Sequence, residues 1–325
     1  MSQNQATKVA VSVQQKLRNQ ATQQKVALNA LQTRYARERL LYRLSKSAYR
    51  DRFVLKGATL FSAWLDKPHR PTQDIDLLGL TDNTVADVEQ VFREICCLEV
   101  EEDGLEFKKD TVRGQRIKEG AAYEGVRIHL DAYFAGTRSR FTLQIDIGFE
   151  DKVTPEPEVI ELSTILNFPA PILKTYPRET FVAEKFEAMV MLGMFNSRLK
   201  DFYDLWFLAQ EFEFEGELLG RAIKTTFTWR KTPIPLETPT ALSSEFYEDS
   251  QKQKDWKGLL NKLSETEKIK SLKEVTDLLK SFLMPPTIAV AKGETFDKLW
   301  IPSGAWQNPE QAKTSNPPKP HKRLS

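Results

Sequence analysis

The chain has 325 residues, 40% of them hydrophobic, enough for one large domain or two modest ones with a substantial core. Lys and Arg number 47 against 45 Asp and Glu, a net charge of +2, so no global field draws in a polyanion and any nucleic-acid contact must be a local patch. Two adjacent cysteines (Cys96, Cys97) and three scattered histidines (His69, His129, His321) suit neither a disulfide framework nor a zinc site. No apolar stretch of membrane-spanning length appears, and the Gln- and Asn-rich start is no signal peptide, so a cytoplasmic protein that meets no membrane is expected.

From about Gln5 to Arg50 there is no proline or glycine, and apolar residues recur at helical spacing through Val26, Leu28, Leu31, Tyr35, Leu40, Leu41 and Leu44, which predicts two or three helices. Phe53 to Leu55 is a short β-prone run, Gly57 breaks the chain, and Thr59 to Leu65 resumes a helical pattern. A strand is expected at Asp74 to Leu78 and a helix at Thr84 to Cys96. Strands are then expected at Leu105 to Val112, Val126 to Phe134 and Phe141 to Ile147. Proline clusters at 155–157 and 169–177 mark the exit from this part. Helices follow at Thr180 to Leu192 and Lys200 to Glu211, separated by the loop Gly193 to Arg198. A further helical bundle reaches about Leu283, with a Pro-rich break at 233–239. The order reads as an α/β (α+β) chain in four parts: N-terminal helices over 1–50, an α/β core over 51–177, a helical C-terminal domain over 178–300, and a disordered tail over 301–325.

In the strand Asp74-Ile75-Asp76-Leu77-Leu78 the two carboxylates are two residues apart, so the pleat puts both on one face. Side by side they repel, unless a divalent cation lies between them. Ligation by oxygen alone favours Mg²⁺, or Mn²⁺, with a nucleotide's phosphates completing the shell. The alternative is an exposed strand end with two solvated acids. The preceding turn Lys56-Gly57-Ala58-Thr59 offers backbone N–H groups to a phosphate. A third acid on a strand, Asp146, would complete the layout needed for phosphoryl displacement, with Asp131 as the competitor for that place. Arg70, in a Pro-rich loop before the carboxylate strand, is either a phosphate contact or a surface residue. Phe202, Tyr203, Trp206 and Phe207 read mainly as core, with base stacking the lesser alternative. Lys185 falls mid-helix, and Asp201 and Asp204 are three apart on one face of the next helix. The loop between can fold the lysine against them, as a structural ion pair or as part of a site. Arg198 and Lys200 add local charge suited to phosphate or RNA, or are ordinary solvated residues.

The turn, the paired aspartates and the later strand aspartate together resemble the DNA polymerase β-type nucleotidyltransferase superfamily, with Ala58 in place of that family's second Gly or Ser; Thr59 or Ser62 are the hydroxyls that would replace it. Further on, Val182-Ala183-Glu184-Lys185-Phe186-Glu187-Ala188, then Asn196 through Leu205 with Arg198, Lys200, Asp201, Tyr203 and Asp204, resembles the paired blocks of the AbiEii family, toxins of toxin–antitoxin and abortive-infection systems; the likeness runs from roughly 8 to 285. It implies a nucleotidyltransferase-type mixed sheet flanked by helices, with Asp74, Asp76 and Asp146 at a Mg²⁺ site. It further implies an NTP substrate held by Lys56, Gly57, Ala58, Thr59, Arg70, Arg198, Lys200 and Asp201, with Lys185 on the triphosphate and Asp204 ordering the site or the attacking hydroxyl. The acceptor it implies is RNA, best a tRNA 3′ end, with a separately encoded antitoxin as partner. Two alternatives stand beside it: a non-catalytic nucleotide- or partner-binding module on the same fold, and kinase-like transfer of the γ-phosphate.

Overall fold

A computed structural model describes residues 3–65, 70, 72–81, 84–119, 123–149, 151–263, 271–302 and 304–312. The first helix, α1 (Gln3–Gln24), buries Ala10, Val13, Leu17 and Ala21, one stripe at helical spacing. The second, α2 (Leu28–Lys46), differs. Between Tyr35 and Ser45 it is buried all round, charged residues included. Those charges are paired: Asp103, 1% exposed, accepts from Arg39 Nε at 3.0 Å and from Arg43 Nη1 at 2.6 Å, and Arg39 Nη1 donates to the Pro169 carbonyl. Burying ions so completely is tolerable only with such partners.

The chain then forms β1 (Phe53–Lys56), a 3₁₀ turn over Gly57–Leu60, a single helical turn α3 (Phe61–Trp64), β2 (Asp74–Gly79) and α4 (Val85–Cys97), which is capped by the Thr84 hydroxyl accepting from the Asp87 amide. The helix expected over 59–65 is therefore one α-helical turn, Phe61–Trp64, entered through the end of a 3₁₀ turn. Cys96 is buried and Cys97 exposed, both free. Next come β3 (Leu105–Glu119), β4 (Tyr123–Phe134), β5 (Arg140–Phe149), β6 (Glu158–Glu161) and β7 (Ile172–Thr175). Among the described residues these make a seven-stranded mixed sheet in the order β3-β4-β5-β2-β1-β7-β6, with β2 parallel to β5, β7 parallel to β1, and the other pairs antiparallel. The prolines at 169–177 do not end the sheet. They bracket β7, whose Leu173 and Thr175 are buried while Thr175 pairs in register with Leu55.

The helical part comprises α5 (Arg178–Leu192), a 3₁₀ turn over Gly193–Phe195, α6 (Leu199–Glu211), the two-residue β8 (Phe214–Glu215), α7 (Gly216–Trp229), α8 (Ser244–Tyr247), α9 (Ser250–Leu260) and α10 (Leu272–Lys292). After it come β9 (Leu299–Ile301), β10 (Ala305–Gln307) and the turn α11 (Pro309–Ala312). Helix α10 runs past Leu283, through Pro285 and Pro286, to a left-handed cap at Gly293. Two prolines abolish the bonds to the carbonyls four residues earlier, Ser281 and Phe282. Both carbonyls instead accept from the Trp306 indole N–H, at 3.2 and 3.1 Å. That contact explains why part of the tail expected to be disordered from 301 is a strand paired to β9. Residues 313–325 lie outside the described residues.

The chain divides into two units. One holds residues up to Glu150 and Glu158–Thr175; the other holds Asp151–Pro157 and the described residues from Tyr176 onward. No described helix is long and apolar enough to cross a membrane.

Candidate active site

Register places the carboxylates. Asp76 on β2 lies directly beside Asp146 on β5, and on its other side beside Lys56 on β1; Asp146 in turn lies beside Arg127 on β4. Register partners project from the same face of a sheet, with neighbouring strands about 4.8 Å apart. Lys56, Asp76, Asp146 and Arg127 thus form one row, signed plus, minus, minus, plus. Asp74, two residues along, shares that face beside Gln144. The alternate positions Ile75, Leu77, Ile145, Ile147, Val126 and Ile128 are each at most 1% exposed and build the core on the opposite face. Sequence alternation makes this row possible; only strand order brings its members together.

Asp146 is saturated. Oδ1 accepts from Arg127 Nε at 2.8 Å and Oδ2 from Arg127 Nη2 at 2.7 Å, and Gln144 Nε2 reaches both oxygens at 3.2 and 3.1 Å. A carboxylate offers about four acceptor sites, so a further ligand on Asp146 must displace Gln144 or Arg127. Hydrogen bonding to Asp146, together with the field of Asp146, Asp74 and Asp76, raises the Arg127 pKa against the opposing effect of burial. Arg37, from α2, is a third cation near the pair. Burial first, then Arg34, lowers its pKa to about 10, while Asp74 and Asp76 oppose the change. It is 8% exposed and donates to the Thr72 carbonyl, which ties α2 to the segment entering β2. Neither arginine was marked by sequence. An arginine inside an apolar helical run, as at 37, and one at a strand position facing the polar side, as at 127, are the signals that were there to read.

Gly57 sits against Asp76. With φ at +72°, a Cβ on this residue would stand 1.9 Å from Asp76 Oδ2 and 2.6 Å from its Cγ. Only a glycine lets the backbone pass this close and take that angle. Lys56 is buried, Ala58 and Thr59 half-buried. The Ser62 hydroxyl donates to the Thr59 carbonyl at 2.7 Å, so it holds the turn. Arg70 is half-buried beside residues outside the described set. Asp131 is elsewhere on the sheet: it pairs in register with Thr142, accepts from that hydroxyl at 2.9 Å and binds Arg140 Nε at 3.0 Å. Among the described residues no group of three or more His, Cys, Asp or Glu side chains has metal-holding geometry. Asp74 and Asp76, both half-exposed, still fit Mg²⁺, since that ion is commonly held by one or two carboxylates plus phosphate oxygens and water.

In the second unit, Lys185 on α5 binds Asp201 Oδ1 and, at 3.1 Å, Asp204 Oδ2, both on α6. Asp204 is fully buried, and the ammonium also lies 4.7 Å from the Phe181 ring centre. Lys185, Asp201 and Asp204 together carry a net −1. Arg198 and Lys200 are exposed. Phe202, Tyr203 and Trp206 are buried, Phe202 stacked on Phe246. A second cluster escaped sequence reading: Arg230 binds Asp151 at 3.0 Å, Glu187 at 3.0 Å and Glu184 at 3.4 Å, and this acidic company raises its pKa despite burial.

A mixed α/β sheet that sets a pair of strand aspartates beside a third, over a glycine turn, belongs to the nucleotidyltransferase class. The family model described as nucleotidyl transferase AbiEii toxin, type IV toxin–antitoxin system, matches residues 39–281, and the chain belongs to that family. Among solved structures, JHP933 from Helicobacter pylori is 16% identical with a TM-score of 0.46, covering 82% of this chain and 94% of its own. A candidate nucleotidyltransferase from H. pylori gives the same identity and TM-score, covering 82% and 97%. Comparison with curated proteins gave no significant match.

Proposed function

We propose that the chain is a Mg²⁺- or Mn²⁺-dependent nucleotidyltransferase that moves an NMP group from an NTP to an RNA acceptor, best a tRNA 3′ end. It would act as the toxin of an AbiE-like system whose antitoxin is a separate protein. The observation that supports this most is the register of Asp76 beside Asp146 on parallel strands, with Asp74 on the same face and Gly57 packed against Asp76. Asp74 and Asp76 would hold the cation, which when bound neutralises phosphate charge and polarises the α-phosphorus. The acceptor hydroxyl oxygen bonds to the α-phosphorus, the bond to the pyrophosphate oxygen breaks, and the hydroxyl proton leaves to a base. Asp146 would be that base, or a third ligand, once Gln144 or Arg127 yields a lone pair. Lys56 and Arg127 bracket the row, and Arg37 flanks the pair; these cations offset carboxylate repulsion before nucleotide binds. Lys185 would contact the triphosphate, with Asp204 ordering the lysine or the attacking hydroxyl.

The test is incubation with each labelled NTP, Mg²⁺ and total tRNA. Transfer of label to RNA is expected, with pyrophosphate released, and Asp76→Ala should abolish both transfer and growth arrest. Product mass separates NMP addition from γ-phosphate addition. No product on any acceptor, with nucleotide still bound, would replace this reading by a non-catalytic binding module.

A further inference from the structure

Phe195 stands on the turn between α5 and α6 with 92% of its surface exposed, more than any other large apolar side chain among the described residues. The turn beneath it is built. Asn196, wholly buried, accepts from the Arg198 amide through Oδ1 at 2.8 Å and from Lys252 Nζ through its carbonyl at 2.8 Å, and its own N–H reaches the Gly193 carbonyl at 3.1 Å. A phenyl group left in water forfeits the stabilisation that burial gives, and this hydrogen-bonded turn holds one there. Arg198 and Lys200 are exposed just beyond it, and the nearest carboxylate in sequence, Asp201, is engaged by Lys185.

An open π-face followed within five residues by two exposed cations is the chemistry that takes an unpaired base and its flanking phosphates. A protein partner would be better served by a continuous apolar patch; Met191 before the turn is also exposed, but the exposed residues after the ring, Ser197, Arg198 and Lys200, are polar or cationic. A lone mononucleotide would need a concave pocket around its base, which a ring this exposed does not supply. We propose that Phe195 is a stacking platform for an unpaired base of a single-stranded RNA end, with Arg198 and Lys200 on the adjoining phosphates. The inference rests on the reading of RNA as acceptor and deepens it.

The experiment measures anisotropy of a short labelled single-stranded oligoribonucleotide, and binding of NTP separately, for the full chain and three variants. The exposure of the ring makes all three compatible with folding. Phe195→Ala and Phe195→Leu should weaken RNA binding by about 5- to 150-fold, the range for loss of one base–aromatic stack. Phe195→Trp should restore it, with NTP binding and the salt dependence of RNA binding unchanged throughout. The proposal is overturned if the unaltered protein binds no RNA, if Phe195→Ala binds within roughly twofold of it, or if Phe195→Leu restores binding as well as Phe195→Trp, which would mark an apolar docking point. Loss of NTP binding in Phe195→Ala would likewise overturn it by placing the ring on the nucleotide. RNA binding that depends on Phe195 without any nucleotidyl transfer would uphold this inference and reject the proposed reaction.

Discussion

Replacing Gly57 by alanine separates backbone strain from displacement of Asp76. Two costs are expected. The first is conformational: φ is +72°, and an L-residue held in the left-handed region costs about 1–2 kcal/mol. The second is the collision of the new Cβ with Asp76 Oδ2. Real Cβ contacts do not fall below 3.0 Å, so a 1.9 Å approach forces the carboxylate to move by about 1 Å. A misplacement of that size can cost about a hundredfold in rate where a group must be held in register with reacting atoms. Gly293→Ala is the matched control, because Gly293 has φ +76° and nothing within 4 Å of its would-be Cβ. Both variants should lose about 1–2 kcal/mol in urea unfolding. Only Gly57→Ala should lose nucleotidyl transfer, by roughly a hundredfold, assayed well below the melting temperature. Equal activities in the two variants would refute the argument that the turn sets the position of Asp76.

Three further outcomes follow from particular side-chain contacts. Lys185→Met leaves the fully buried Asp204 without its ammonium and should destabilise the chain by about 3–5 kcal/mol, much of it recovered in the double variant with Asp204→Asn; a loss under about 1 kcal/mol would show that the pair does not hold α5 to α6. Trp306→Phe keeps the stacked ring but removes the donor to the Ser281 and Phe282 carbonyls, so about 0.5–1.5 kcal/mol should be lost, read by thermal unfolding; no loss would mean that water replaces the indole. The Glu38 carboxyl is raised from 4.5 to about 7, chiefly by burial, against the Ile165 amide and nearby arginines. The folded state therefore holds the proton more tightly than the unfolded state. Its contribution is complete below pH 4.5 and is lost as pH rises through about 7, at most about 3 kcal/mol in all. Glu38→Gln should flatten that decline and be the more stable protein at pH 8; parallel stability curves for the two would refute the burial argument.

Much of the element order was legible because periodicity is local. The strand at 74–78, the helices flanking the Gly193 to Arg198 loop and the strands around 126–134 and 141–147 carry their own alternation or helical repeat. Proline misled at β7, and α10 outran its expected end near Leu283, since what accommodates a proline is a partner distant in sequence: β1 for β7, and Trp306 for the two carbonyls that α10 leaves open. The aspartates at 74 and 76 could be paired from sequence because the pleat alone sets them on one face. That Asp146, and not Asp131, stands beside Asp76 depends on β5 lying parallel to β2 in one particular register, and a shift of two residues would have brought another side chain there. The cations around the pair belong to the same category. Lys56 and Arg127 come from strands on either side and Arg37 from a helix, and no spacing along the chain encodes that meeting. By itself, then, the sequence determined the faces, the motifs and the family resemblance, all of which are properties of short segments. The tertiary structure decided which charges neutralise one another, because electrostatic partnership falls off over a few ångströms and those distances exist only once the strands have paired.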